Sequence, residues 1–394
     1  MSNVISVIKK AIRETDITLL LLCMAASVFG FVLVRSATEV SRGADQLISR
    51  DLRVMIIAVA GGIFVALVMS FINYENILRL WPLIAAAGVA MMAVTFLFGT
   101  GPAERSDVRS WLHIPGMSFY FQPSELLKIM FIITFGAHLD LVKDHIRELK
   151  TVLLLCLHGA VAAGSVVVTG DMGSALIFLI IFAVMFFMAG LAPKHIAAAV
   201  VLVAAAIPVA WKYVLGEIQK QRIMALLYPE DYPDIIYQQE KGLTAIGAGG
   251  WTGMGLMKGT YTQAVKGVPM RENDMIFSVV GEELGFIGCV FALGLIVLII
   301  AKIVSTGHNA RDKAASYMCS GLAAMLAGHV IVNIGMCLML LPVVGITLPF
   351  YSAGGSSNLC LYVGIGLALS IYRYNQEGKA VNFRMSKIRT PFYE

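Results

Sequence analysis

The chain has 394 residues, 58% of them hydrophobic and only 14% charged, with a net charge of +5 and a mean hydropathy of +0.80. A water-soluble domain carries about 25% charged residues to wet its surface, so most of this surface must face something other than water. A soluble enzyme, a nucleic-acid binder and a disordered chain are excluded on that ground.

Ten stretches reach or approach the roughly 20 apolar residues that cross the hydrocarbon as a helix: 17–35, 53–73, 79–99, 124–141, 151–169, 172–191, 195–216, 275–303, 315–341 and 356–373. The predicted class is an all-α polytopic membrane protein with about ten transmembrane helices. Lys9, Lys10 and Arg13 give the first stretch the look of a signal peptide, but nine further spans favour a retained anchor. The six cysteines lie in apolar runs without CxxC spacing, and the seven histidines form no HxxxH pair. Both read as packing residues rather than metal ligands.

Basic residues orient the spans. With the N-terminus inside, 16 of the 30 Lys and Arg gather on the inner side, Lys143, Arg147, Lys150 and Arg311 among them. The short outer loops collect six, from Arg35 to Arg109. The positive-inside rule then makes both termini cytoplasmic. The compositionally unusual segments 100–124, 169–174, 217–274 and 342–357 all fall on the outer face. Segment 217–274 becomes a large extracytoplasmic loop between spans seven and eight, and 374–394 a cytoplasmic tail. No internal repeat of the kind that marks many transporters is visible, so 1–394 reads as one membrane domain.

Five constellations carry chemistry. Between spans three and four, Arg109, Trp111 and Pro115-Gly116 precede Phe121-Gln122-Pro123-Ser124-Glu125 and Lys128. Lys128 in a first turn opposes the helix dipole and is costly near lipid unless paired or wet. Glu125, at i−3, can pair with it; a structural pair and an anion-binding cation remain open. Asp171-Met-Gly173-Ser174 forms a hairpin corner in which Asp171 reads as the N-cap of span six.

The third constellation is the outer loop itself, with Tyr237-Gln238-Gln239 and the Gly-rich run Gly247 to Gly255 that includes Gly249 and Gly250. It is not apolar enough to span and too Gly-rich for a stable soluble domain. Some 55 residues expected to lack a packed core are more often functional than decorative. The fourth is Asp274 with Ser278 and Glu282, spaced i, i+4, i+8 on one face of span eight, and Glu283 beside them. Intramembrane carboxylates face a bundle interior or wet cavity by default. The plainer reading makes Asp274 a helix cap and Glu282 the partner of a buried Arg or Lys. The fifth runs from Pro342 through Pro349 to Ser352, Ser356 and Ser357, irregular backbone tolerated at membrane depth only against protein or water.

Taken in order along the whole chain, these blocks resemble the SEDS family of polytopic membrane proteins, the RodA, FtsW and SpoVE group. The resemblance implies a peptidoglycan glycosyltransferase that polymerises lipid II at the outer face of the bacterial cytoplasmic membrane, with a class B penicillin-binding protein as partner. It also implies service in the elongation or division machinery, and no nucleic acid. It makes Asp274 the catalytic residue and places Lys128 and Glu283 near the site. Inverting transfer needs a carboxylate base and cations or N–H donors for the departing pyrophosphate. Asp274 is assigned as base. Lys128, Glu125, Arg109, Arg222, Glu283, Ser352 and Ser356 are assigned to substrate, and Asp171, Glu282, Gly249, Gly250 and Pro349 to structure or gating. An exposed Asp is a weak base, so Asp274 is either desolvated or acts through a divalent cation, Mg²⁺ or Mn²⁺; the sequence leaves both open.

Lys241-Gly242, Met275 and Ala353 depart from the family pattern and weaken assignment to one subfamily. The absence of long terminal tails leans towards RodA-like elongation over an FtsW- or SpoVE-like role in division or sporulation. Two rival functions share the composition: a lipid II flippase, and a non-catalytic scaffold that activates a penicillin-binding protein. The short inner loops, without Gly-rich or paired-acid motifs, argue against the flippase.

Overall fold

The computed structural model describes residues 14–40, 47–101, 108–113 and 120–388. Lys9, Lys10, Arg13, Arg42, Arg105, the Pro115-Gly116 pair and Arg389 lie outside the described residues. Thirteen α-helices are described, and the ten of 17 residues or more coincide with the ten apolar stretches. These are α1 (Ile17–Ala37), α2 (Arg50–Ser70), α4 (Trp81–Phe98), α5 (Pro123–Leu141), α6 (Leu149–Val168), α7 (Met172–Met188), α8 (Pro193–Tyr213), α11 (Ile276–His308), α12 (Lys313–Cys337) and α13 (Gly355–Ile388). Seven of them are long and apolar enough to span by length and composition alone, and α7 is a shorter apolar helix. Three shorter helices complete the set: α3 (Tyr74–Arg79), α9 (Glu217–Leu227) and α10 (Pro233–Ala248).

Helix starts follow local chemistry. Asp16, Ser49, Asp171 and Asp312 each accept a backbone N–H of the first turn, and Pro opens α5 and α8, where its missing N–H costs nothing. Outward faces carry Leu21, Val28, Phe64, Leu83 and Val297, all exposed; such a girdle is favourable only against lipid. Inside, α13 packs along α2, where Gly62 admits the ring of Tyr362.

Two ends of the bundle are distinguished by what ties them. At one, Lys302 pairs with Asp16 at 2.9 Å, Arg373 with Glu14 at 3.3 Å, and Tyr74 bonds Asp312. All the sequence constellations gather at the other. There the Arg109 N–H donates to the Thr169 carbonyl, a two-stranded hairpin pairs β1 (Leu112–His113) with β2 (Tyr120–Phe121), and Ser356 bonds both Tyr120 and Gln122.

One sequence expectation needs correction here. Segment 217–274 is not without packed structure. It contains α9 and α10, and α10 buries Ile236, Gln239, Gly242 and Ala245 against the bundle, because Pro233 starts a helix whose apolar residues recur at helical spacing. At the other end of the chain the backbone of α13 continues to Ile388.

Candidate active site

Asp274 does not lie on the span-eight helix. It sits in the turn just before α11, in a stretch where Met270 takes φ 51° and the Met275 N–H returns to the Met270 carbonyl at 3.1 Å. The Asp274, Ser278, Glu282 face expected from periodicity therefore starts at Ser278. The backbone around Asp274 is held from three sides. Asn333 Nδ2 donates to the Asp274 carbonyl at 2.8 Å, Ser352 Oγ donates to the Asn273 carbonyl at 2.8 Å, and the Ala353 N–H donates to the Glu272 carbonyl at 2.9 Å. The carboxylate points at the 342–349 segment; a Cβ on Gly345 would stand 3.7 Å from Asp274 Oδ2.

Arg222 of α9 reaches the same place. Its Nη1 donates to the Val343 carbonyl at 2.7 Å, and its charge acts on Asp274. Burial lifts the Asp274 carboxyl from the usual carboxylate range to about 6, Arg222 draws it down and Glu272 pushes it up. A carboxyl titrating near the operating pH is better suited to accepting a proton than an exposed one.

The second polar cluster is deeper. Lys128 is fully buried, its Nζ donating to Glu125 Oε1 at 2.8 Å and meeting His329 Nε2 at 2.8 Å. Glu125, His329, Pro349, Ser357 and Cys360 line a narrow cavity beside it. His329 escaped sequence reasoning. Its signal was the i, i+4 spacing to Asn333 on α12, which places the two side chains one above the other about 6 Å apart along the axis. One helix thus holds both the Asp274 turn and the Lys128 pair.

Other assigned residues fall elsewhere. Asp171 caps α7 through Ser174 N–H at 2.9 Å and also accepts from Gln122 Nε2 at 2.8 Å and Ser124 Oγ at 3.1 Å, so it fastens α5 to α7. Arg109 is exposed, and its Nη1 bonds the Phe96 carbonyl at 3.3 Å. Ser352 and Ser356 are buried staples: Ser352 Oγ accepts from Leu348 N–H and donates to Asn273, while Ser356 Oγ accepts from Gln122 N–H and donates to Tyr120. Glu283 is fully buried on Ser36, Met257 and Gln263. Glu282 meets backbone N–H groups in place of the expected Arg or Lys. Gly249 packs against the backbone of Gly281 and Glu282, and Gly250 takes φ 54° in the following turn.

Among the described residues no group of three or more His, Cys, Asp or Glu gathers as metal ligands, and the Glu272 carboxylate acts on Asp274.

Fold and site together define a polytopic membrane protein with a partly buried carboxylate, on which the charge of a guanidinium acts, at one end of the helix bundle. A family profile described as cell cycle protein, covering FtsW, RodA and SpoVE, matches residues 16–377, and the chain belongs to this SEDS family. The peptidoglycan glycosyltransferase MrdB of Escherichia coli K12 is 30% identical over 368 residues, covering 92% of this chain and 94% of that one. A probable peptidoglycan glycosyltransferase FtsW of Trichlorobacter lovleyi is 31% identical over 384 residues, covering 93% and 96%. Among solved structures, a chain of a peptidoglycan synthase complex that coordinates polymerization and crosslinking superposes with a TM-score of 0.76 at 26% identity, covering 92% of this chain and 98% of that one. The rod shape determining protein RodA of Thermus thermophilus shares the fold, with a TM-score of 0.66 at 24% identity and coverage of 92% and 97%.

Proposed function

We propose that this chain is a peptidoglycan glycosyltransferase that polymerises lipid II by single displacement. One observation carries the reading: a carboxylate that burial lifts to about 6 stands at the bundle end with a guanidinium acting on it. Asp274 accepts the proton of the acceptor sugar hydroxyl as its oxygen bonds to the donor's anomeric carbon. The bond from that carbon to the lipid pyrophosphate breaks on the opposite face, so configuration inverts. Arg222 stabilises the negative charge that leaves with the pyrophosphate. The Lys128–Glu125–His329 cluster shapes the adjoining cavity wall.

The reaction belongs to the outer face of the cytoplasmic membrane, a placement resting on the 16-to-6 bias of basic residues. A class B penicillin-binding protein is the partner best supported, since the synthase complex that this chain resembles joins polymerization to crosslinking. Relatives named MrdB and FtsW match about equally well.

The test is a polymerisation assay with purified protein, its transpeptidase partner and lipid II. Glycan polymer from the wild type and none from Asp274→Asn supports the reading. Equal polymer from both removes Asp274 from the mechanism, and movement of lipid II across vesicles without polymer favours a flippase.

A further inference from the structure

Helix α11 is two helices joined across a break. Gly285 takes φ 65° and ψ −165°, a region essentially restricted to glycine, and the helical ladder is interrupted there. The turn after α10 fills the gap. Met254 and Gly255 N–H groups donate to the carbonyls of Glu282 and Glu283 at 2.9 Å each. In return the carbonyls of Gly250 and Trp251 accept from Phe286 and Ile287 N–H at 2.9 and 3.2 Å. A side chain at Gly249 or Gly253 would collide with this backbone.

Just before the break stand two fully buried carboxylates. Glu282 accepts from the N–H groups of Tyr261 and Thr262, both at 2.7 Å. Glu283 accepts from Ser36 Oγ at 2.5 Å, Met257 N–H at 3.0 Å and Gln263 Nε2 at 2.8 Å. Among the described residues neither pairs with a cation; each charge is met by hydrogen-bond donors, which are stronger for being charge-assisted. A carboxylate offers acceptors on both oxygens, whereas the amide of Gln would set a donor against an N–H.

The consequence is topological. Residues 254–283 form a closed ring of chain: the backbone carbonyls of Glu282 and Glu283 fasten its neck to Met254 and Gly255, their carboxylates brace it from within at Met257 and residues 261–263, and the same ring carries Asp274. Asp274 precedes Glu282 by eight positions, and the helical part of that path, from Ile276 to Glu282, rises about 9 Å. The ring is further tied by Arg271, whose Nε donates to the Ala37 carbonyl at 2.9 Å and Nη1 to the Ala264 carbonyl at 2.9 Å. We propose that Glu282 and Glu283 are positioning residues for the transfer: by closing this ring they fix the aim of the Asp274 carboxylate, and so govern turnover rather than lipid II affinity. The proposal rests on the polymerase reading above.

The test combines hydrogen exchange with kinetics on the full chain bound to its transpeptidase partner. Glu282→Gln and Glu283→Gln are expected to speed amide exchange within 254–263 at least tenfold while leaving 313–337 unchanged. They are expected to lower kcat tenfold or more with KM for lipid II within twofold, and Glu282→Asp to recover part of kcat. Gly285→Ala, which keeps both carboxylates but obstructs the inserted turn, should give the same signature. Faster exchange with wild-type kcat in the Gln variants overturns the proposal, as does unchanged exchange. Should the Gln variants not fold, Gly285→Ala and Gln263→Ala decide by the same criterion. Absence of polymer from the wild-type complex is a separate result: it sinks the polymerase reading and the positioning role with it.

Discussion

Asn333 holds Asp274 from behind. Its Nδ2 divides between the Asp274 carbonyl at 2.8 Å and the Ile346 carbonyl at 2.7 Å, so one fully buried amide ties the turn before α11 to the irregular segment before α13. Among the described residues, the Asp274 carbonyl meets, besides Asn333, only the weakly donating Cys337 Sγ at 3.7 Å. The position of the Asp274 turn therefore depends on a side chain 59 residues further along the chain.

Replacing Asn333 by Ala should leave the Ile346 carbonyl without this donor and the Asp274 carbonyl with only the weak Cys337 thiol, at about 1–3 kcal/mol for a buried group left unsatisfied. The expected result is a lowered unfolding midpoint together with a fall in polymerisation. Wild-type values of both would show that the tie is dispensable.

The pH dependence of polymerisation should report Asp274. Since the base acts only when ionised, the rate is expected to rise as pH increases through about 6, the position set by burial. Arg222 lowers that position and Glu272 raises it, so Arg222→Gln should move the inflection to higher pH and Glu272→Gln to lower pH. A profile that stays in place in both variants would assign the titration to another group.

Lys128→Met removes one partner of a fully buried pair and strands Glu125, whose Oε1 lies 2.8 Å from the ammonium. Breaking such a pair costs about 3–5 kcal/mol, whereas replacing both charges with apolar groups is often neutral. Thermal unfolding should show a large loss in Lys128→Met and a partial recovery when Glu125→Leu is added. Additive losses would mean that the two charges do not depend on each other.

Gly30 on α1 lies against the carbonyl of Phe350 and the Cα of Tyr351. A Val there must push α1 from the 342–354 segment, and overpacking of this kind costs about 1–3 kcal/mol. Gly30→Val should unfold at lower temperature, while Gly164→Ala, which meets open space, should not.

Sidedness is testable by labelling. Val265 is 89% exposed at the site end and Lys143 is exposed at the opposite end. In a chain lacking its own cysteines, Val265→Cys should react with an impermeant maleimide on intact cells, and Lys143→Cys only after permeabilisation. The reverse pattern would invert the topology.

The amino-acid sequence by itself determined the solvent, the spans and the chemical vocabulary. Apolar runs of about 20 residues have one low-energy form in lipid, so all ten appear as helices. The Glu125–Lys128 pair and the Asp171 cap are contacts between residues three apart, and local spacing alone carries them. Tertiary structure decided everything that joins distant residues. His329 meets Lys128 across 201 positions and Asn333 meets Asp274 across 59, separations to which no periodicity refers. The break at Gly285 was hidden as well, because Glu282-Glu283-Leu284-Gly285 reads as one helix until another segment supplies the missing hydrogen bonds. For the same reason the partners of Glu283 and of the serines at 352 and 356 could not be read from spacing. Whether a polar group is free depends on which backbone folds against it, and that is settled only when the chain packs.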